Sequence, residues 1–303
     1  MNTAEITGII ARLCDEAPVE SIALSGGEPL LREDLPKILA FLRSKSVSPV
    51  VITNGTLLTR ERIESAGEVT YEITLLSHCH DLHDRLAGRQ GAWRAVVEAM
   101  ANIRQLRGNF VAVFVATKLN HMDAAKTTEL AIALGANGLM YNRINLGAHN
   151  IRHADRLLPT PQMIRQNLDT LEELGSKYKL PVAVSVVIEP CVVDVRKYKH
   201  LHFGWCPLAG EGSYFTVDPT ANVRICNHSN VILGNLKRDR FTDIYHKHPY
   251  VRSFRDTWPV ECQDCAPELK ALCCGGCKAA AEQCYGTLTK VDPFVTISQR
   301  GRR

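Results

Sequence analysis

The sequence predicts an α/β chain in two unequal parts. Residues 1–190 read as a partial (β/α) barrel, residues 191–295 as a small cysteine-rich module with a β-hairpin and short helices, and residues 296–303 as a tail. Three observations predict this. Short apolar, β-rich runs alternate with segments of helical period through the first part, the pattern of a parallel sheet covered by helices. The alternation stops near Pro190, where Cys, Gly, His and Pro become dense. Of 11 cysteines, eight fall between Cys206 and Cys284.

Taken in order, the chain opens on a helix over 3–14, and the strands are the runs 21–24, 49–53, 71–76, 110–115, 138–144 and 182–188. Between them, Leu35, Ile38, Leu39 and Leu42 share one helical face, and Trp93, Val96, Val97, Met100, Ile103 and Leu106 share another. Helix starts are signalled by Asp34 ahead of Pro36 and by Thr160 followed by Pro161. In such a sheet the chemistry sits at the carboxyl ends of the strands. That singles out the loops 25–29, 53–55, 77–80 and 117–120. His78, His80 and His83 read as a solvated loop rather than a metal site. Past the boundary, 214–217, the turn Asp218-Pro219 and 223–225 form a hairpin presenting Cys226, and 241–256 and 278–284 are helical.

Composition narrows the partners. A chain of 303 residues, 45% hydrophobic and 22% charged, is ordinary for a soluble globular protein with a substantial core. A net charge of +4, from 36 basic and 32 acidic side chains, is too mild to point to nucleic acid or membrane. No run approaches the roughly 18 apolar residues that cross a bilayer, and the start lacks a basic-then-apolar signal. The expectation is a cytoplasmic protein, with no nucleic-acid and no membrane partner. In that reducing compartment clustered cysteines imply metal or redox chemistry.

The constellation runs Cys206, nineteen residues, Cys226, then Cys262-Gln263-Asp264-Cys265, seven residues, Cys273-Cys274-Gly275-Gly276-Cys277, and Cys284. Thiolates bind zinc and iron–sulfur clusters, a two-residue gap lets both sulfurs reach one centre, and glycines let the backbone fold close around it. One tetrahedral zinc on Cys262, Cys265, Cys274 and Cys277 leaves Cys206, Cys226, Cys273 and Cys284 without a role, and seven or eight thiols suit two clusters better.

The pattern resembles the SPASM domain found at the C-terminal side of many radical S-adenosylmethionine (SAM) enzymes, with Gly234-Asn235-Leu236 matching the segment after the hairpin. The resemblance implies two auxiliary iron–sulfur clusters of [4Fe–4S] type. Cys206, Cys226 and Cys277 would hold the first, and Cys262, Cys265, Cys273 and Cys284 the second. Two departures stand out: Ala221 occupies the family's glycine position, and the seven-residue gap before Cys273 leaves Cys274 as a possible substitute ligand. The first cluster has three cysteines. Its fourth ligand would be Cys191, a non-cysteine side chain or the substrate.

Ser25-Gly26-Gly27-Glu28-Pro29, directly after an apolar strand, resembles the radical SAM motif that holds the methionyl amino group of SAM. Two glycines let the main chain approach the ligand and Glu28 supplies an acceptor for an ammonium. Thr53-Asn54-Gly55, Ser77, the stretch from His83-Asp84 through Gly88 to Gly91-Ala92-Trp93, Thr117-Lys118-Leu119-Asn120 and Arg143 match the family in order. The resemblance, over about residues 1–295, implies Gly26, Gly27, Glu28, Pro29, Ser77, Asn120 and Arg143 as cofactor contacts; no catalytic residue is assigned.

The family's C-x3-C-x2-C loop for the catalytic [4Fe–4S] cluster is absent, and Cys14 has no partner in spacing. The expectation is a truncated or misassigned start, an open sheet edge at 21–24, and a chain unable to make the 5′-deoxyadenosyl radical. The full-length parent, with SAM and a third [4Fe–4S] cluster, would abstract hydrogen from a peptide or protein and exchange electrons with a donor such as flavodoxin or ferredoxin. Haem or other cofactor maturation on the same scaffold is the enzymatic rival. A non-catalytic iron–sulfur or zinc binding protein is the rival of another class.

Overall fold

The computed structural model describes residues 1–206, 214–273 and 275–300. Seven strands build one sheet: β1 Ser21–Leu24, β2 Ser48–Thr53, β3 Thr70–Thr74, β4 Asn109–Ala116, β5 Gly138–Arg143, β6 Val182–Val184 and β7 Leu201–Phe203. Each pairs with the next in chain order, and every pairing is parallel. Helices between them cover the sheet, which makes a curled partial barrel. Its core includes the fully buried Tyr71, Ile73, Phe110, Phe114 and Tyr141 of the central strands, packed against Val96, Met100 and Ile103 of the helix Ala92–Gln105. β1 lies at the edge with alternate residues exposed, the open edge expected from the sequence.

The run expected at 182–188 is a strand only as far as Val184. Beyond it, Asn142 Oδ1 accepts from Ser185 N and Val186 N at 3.1 Å each, so a side chain takes over from the ladder. β7 is an addition, three residues long and too short to show a period. His80 and His83 are not in a solvated loop but in the helix His80–Ala87. There His83 is 2% exposed and its Nδ1 accepts from Leu76 N at 3.2 Å.

The C-terminal part has a small antiparallel sheet of β8 Thr216–Val217, β9 Asn222–Arg224 and β10 Ile232–Asn235, in the order β10-β9-β8. The hairpin was anticipated and its third strand was not. The single helix expected over 241–256 is two, Phe241–Lys247 and Pro249–Asp256. Pro249 has no N–H to continue the ladder and holds His248 extended, with ψ of 124°. Residues 296–300 of the expected tail belong to the helix Pro293–Arg300, whose Phe294 and Val295 are buried in the barrel core, and residues 301–303 lie outside the described residues.

The first helix, Thr3–Glu16, joins the two parts. Asn2 and Glu5 close a reciprocal cap at its start. Its Ile10 packs with Ile38 and Leu42 on the barrel side, and its Ile9 packs with Val223, Leu233 and Leu236 of the small sheet's core. Arg12 adds hydrogen bonds to the Leu236 carbonyl and, at 2.9 Å, to that of Asp239. Among the described residues no helix is long and apolar enough to cross a membrane.

Candidate metal centres and the loop face of the sheet

At the carboxyl end of β1, Ser25, Gly26 and Gly27 are exposed while Pro29 is buried. Gly26 has φ of +145°, in the region that favours glycine, and nothing lies within 4 Å of a Cβ built on Gly26 or Gly27. The backbone there is open to a ligand. The Glu28 carboxylate accepts from Leu30 N at 3.1 Å, Thr53 Oγ1 at 2.7 Å and Asn54 N at 3.0 Å. It thereby clamps the loop after β1 to the loop after β2.

Ser77 and Asn120 follow the ends of β3 and β4, Arg143 is the last residue of β5, and all three are buried with protein partners. Ser77 Oγ bonds Asp123 and accepts from Cys79 N at 2.9 Å. Asn120 Oδ1 accepts from Thr117 N and Thr117 Oγ1, at 2.7 and 2.8 Å, while its Nδ2 donates to the Leu76 and Val115 carbonyls, at 2.8 and 3.0 Å. Arg143 donates to Val187 O at 3.0 Å and pairs with Asp292 at 2.6 Å, its guanidinium 4.6 Å from the Phe294 ring centre.

The thiols fall into two neighbourhoods. Cys226, buried beyond the end of β9, belongs to the small sheet's core, and Cys206 and Cys277 pack against that same core. Partial desolvation, then Cys226, Cys277 and Cys206, raises the pKa of the half-exposed Tyr214 phenol. Cys277 stands at the N-cap of the helix Lys278–Tyr285. Its amide donates to Asp292 at 3.2 Å and its sulfur accepts from Asn145 Nδ2 at 3.4 Å. Burial, followed by the Asp292 charge, pushes the Cys277 thiol up to about 12.

The second neighbourhood holds Cys262, Cys265 and Cys273. Burial, then Cys265, Cys273 and Cys191, pushes the Cys262 thiol up to about 12, and Cys265 N donates to Cys262 O at 3.2 Å across their turn. Cys191 is within electrostatic reach of Cys262, Cys265 and Cys273. Cys284 packs against the barrel core, as Cys262 does, and burial, then Asp292, pushes its thiol up to about 11. Cys274 lies outside the described residues.

A donor set of soft thiols in two groups fits iron–sulfur clusters. A single zinc on Cys262, Cys265 and Cys277 fits less well, because Cys277 keeps company with Cys206 and Cys226. Among the described residues no three Cys, His, Asp or Glu converge at the spacing of one ion. The described residues contain no disulfide.

Beneath both neighbourhoods lies a charge cluster that sequence reasoning missed. Glu189 is 2% exposed and 3.7 Å from Arg143, with neither carboxylate oxygen hydrogen-bonded. Burial, with the Asp292 charge behind it, raises its carboxyl to about 8 against the pull of Arg143. No spacing rule links residues 143, 189 and 292, so no pattern in the sequence could have grouped them.

Two family descriptions match the chain: the Radical SAM superfamily over residues 1–131 and the SPASM iron–sulfur cluster-binding domain over residues 206–266. The PqqA peptide cyclase of Methylocella silvestris is 28% identical over 287 residues, which are 91% of this chain and 74% of that protein. An AdoMet-dependent heme synthase of Methanosarcina barkeri is 25% identical over 289 residues, 90% of this chain and 81% of the relative. Among solved structures, anSMEcpe with bound AdoMet and Kp18Cys peptide superposes with a TM-score of 0.71 at 15% identity, covering 99% of this chain and 87% of the other. Streptococcus suis SuiB bound to precursor peptide SuiA superposes with a TM-score of 0.72 at 15% identity, covering 96% and 68%. These likenesses are of fold. Seven parallel strands with the Gly-Gly-Glu-Pro loop at the end of β1, and the thiols of the C-terminal part, accord with the two matches: this chain carries a Radical SAM domain over residues 1–131 and a SPASM domain over residues 206–266.

Proposed function

We propose that this chain belongs to a maturase that modifies a peptide or protein, with residues 1–190 as the SAM-binding barrel and 191–295 as the auxiliary-cluster domain. The observation that carries the reading is the division of the C-terminal thiols: Cys206, Cys226 and Cys277 pack with the small sheet's core, and Cys262 and Cys284 against the barrel core. Cys206, Cys226 and Cys277 hold a first [4Fe–4S] cluster, and Cys262, Cys265 and Cys273, with Cys284 of the family pattern, serve a second. Bound clusters would supply one-electron transfer, and SAM held on a further cluster would supply the radical that takes hydrogen from the substrate.

The chain's own residues do the positioning. Gly26 and Gly27 let the backbone approach the methionyl end of SAM, and Pro29, buried beneath them, anchors the loop. Glu28, held by Thr53 and Asn54, presents a carboxylate to the ammonium. Ser77, Asn120 and Arg143 support this face from below by fixing the loops after β3, β4 and β5. Asn145 donates to the Cys277 sulfur, which favours its thiolate.

A peptide or protein substrate is supported by the PqqA peptide cyclase relatives and by the fold shared with SuiB, solved with its precursor peptide. The electron donor is a flavodoxin- or ferredoxin-like protein. Haem maturation is the second reading, favoured by the heme synthase relative alone. No C-x3-C-x2-C occurs in these 303 residues, so they hold no thiolate set for the cluster that cleaves SAM.

Anaerobic purification and reconstitution test this reading. Iron and sulfide should bind in the amount of two clusters, and incubation with SAM and dithionite should release no 5′-deoxyadenosine. Zinc alone would overturn the cluster reading, and 5′-deoxyadenosine would overturn the incompetence of these residues.

A further inference from the structure

The loop after β5 reaches from the barrel into the C-terminal module and lays a side-chain amide on one of its sulfurs. Asn145 Nδ2 donates to Cys277 Sγ at 3.4 Å. The loop is held in place from within and from without. The Asn145 carbonyl accepts from Asn150 Nδ2 at 2.9 Å, and Asn150 Oδ1 accepts from Gly147 N at 2.7 Å. On the module's side, His228 Nε2 lies 2.8 Å from the Leu146 carbonyl. Gln283 Oε1 accepts from Ala148 N at 3.2 Å, while its Nε2 donates to the His228 carbonyl. His228 stands two residues after Cys226 and Gln283 one before Cys284, so the loop is fastened to the segments that carry both thiols.

We infer that Asn145 raises the reduction potential of the first cluster: its amide, bonded to the Cys277 sulfur, favours the reduced, more negatively charged state. The inference rests on the reading of Cys206, Cys226 and Cys277 as that cluster's ligands. Hydrogen bonds to the sulfurs, net charge and solvent exposure set the potential of an iron–sulfur cluster. A thiolate only accepts, which turns Nδ2 toward the sulfur and leaves Asn145 Oδ1 buried, with no partner among the described residues. A buried carbonyl without a partner is costly, so packing alone gives no account of an asparagine here, whereas a donor for sulfur does. The Arg143 guanidinium is taken up by Asp292 at 2.6 Å, and Asp292 also accepts from the Cys277 amide, so the full charges near this thiol offset each other. The Ala280 amide acts on the sulfur in the same direction as Asn145, from within the helix that Cys277 caps, but as a backbone group it is common to any sequence here. Reduction moves one electron from the flavodoxin- or ferredoxin-like donor to the cluster; no bond breaks, and the proton stays on Nδ2. No cysteine spacing points to residue 145, which lies in the barrel part of the chain.

The test compares the reconstituted full chain with Asn145→Leu and Cys226→Ala in redox titrations followed by electron paramagnetic resonance, with iron and sulfide content measured alongside. Cys226→Ala should lose one of two cluster signals, which assigns the first cluster. Asn145→Leu should keep the parent's iron and lower the first cluster's potential by a shift equal to about a tenfold change in its ratio of reduced to oxidised forms, ~59 mV for one electron. The second cluster should not move. In the unsubstituted protein grown on asparagine labelled with nitrogen-15 in the side-chain amide, electron–nuclear double resonance of the reduced first cluster should show a nitrogen-15 coupling, a readout that needs no variant to fold. An unmoved first potential at full iron, an equal shift of both clusters, or no nitrogen-15 coupling would overturn the role of Asn145 alone. Two unaltered signals in Cys226→Ala, or no iron bound by the unsubstituted protein, would overturn it together with the cluster reading beneath it.

Discussion

Asn120 shows how one side chain fastens a loop face. Its amide accepts two hydrogen bonds from Thr117 and donates two to the carbonyls after β3 and within β4, at 1% exposure. Truncation strands four polar groups in the interior, where each unsatisfied group costs about 1–3 kcal/mol and water entry recovers part of it. Asn120→Ala should therefore lower the unfolding free energy by about 2–4 kcal/mol, read from chemical denaturation of the iron-free protein. An effect under about 0.5 kcal/mol would mean that the amide is free for a ligand instead. Sequence alone could not decide between those roles. A polar residue after a strand reads the same whether it faces a cofactor or ties two loops, and burial is what separates them. His83 repeats the point, since a histidine in a polar stretch proved to be a buried acceptor for Leu76 N.

At the scale of elements, the turn between β8 and β9 accounts for a departure from the family pattern. Ala221 stands where a glycine is expected, with φ of +71° and no exposure. A left-handed alanine costs about 1–2 kcal/mol. Burying its methyl among Val223, Leu233 and Leu236 regains about 0.8 kcal/mol. Ala221→Gly should thus be nearly neutral, stabilising by at most about 1 kcal/mol, whereas a β-branched residue there should unfold the hairpin first.

Asp218 holds the same turn. Burial opposes its ionisation, but hydrogen bonds from Thr220 and Asn222 outweigh that and bring its pKa down to about 2. A depressed carboxyl stabilises the fold above its unfolded value near pH 4, and the gain disappears as pH falls toward 2. The contribution is about 1–2 kcal/mol after solvent screening. Thermal melts of Asp218→Asn should show that loss at pH 7 and converge on the parent near pH 2. The strands β2 to β5 were legible because each is five to eight residues long and carries several buried apolar residues. β7 and β10, of three and four residues, were not. The break at Pro249 is masked by an amphipathic pattern that continues across it.

For the whole molecule, one buried ion pair joins barrel to cluster domain. Arg143, at the end of β5, meets Asp292, and Asp292 also accepts from the amides of Cys277 and Phe294 at 3.2 and 2.8 Å. A single carboxylate thus fixes a strand end, a candidate cluster ligand and the start of the last helix. Removing one member of a buried pair leaves its partner charged in the interior, which costs about 3–5 kcal/mol, while replacing both with apolar groups is often neutral. Asp292→Ala should therefore destabilise the iron-free protein by up to about that amount, less as Glu189, 3.7 Å from Arg143, ionises in its place, and expose the segment around Cys277 to hydrogen exchange. Arg143→Met with Asp292→Leu should recover most of the stability but not the protection of the Cys277 amide, whose acceptor is gone. Both quantities are measurable by denaturant titration and by exchange followed with mass spectrometry. A loss below about 1 kcal/mol in Asp292→Ala would show that the two parts are held by the first helix, through Ile9 and Arg12, and not by this pair.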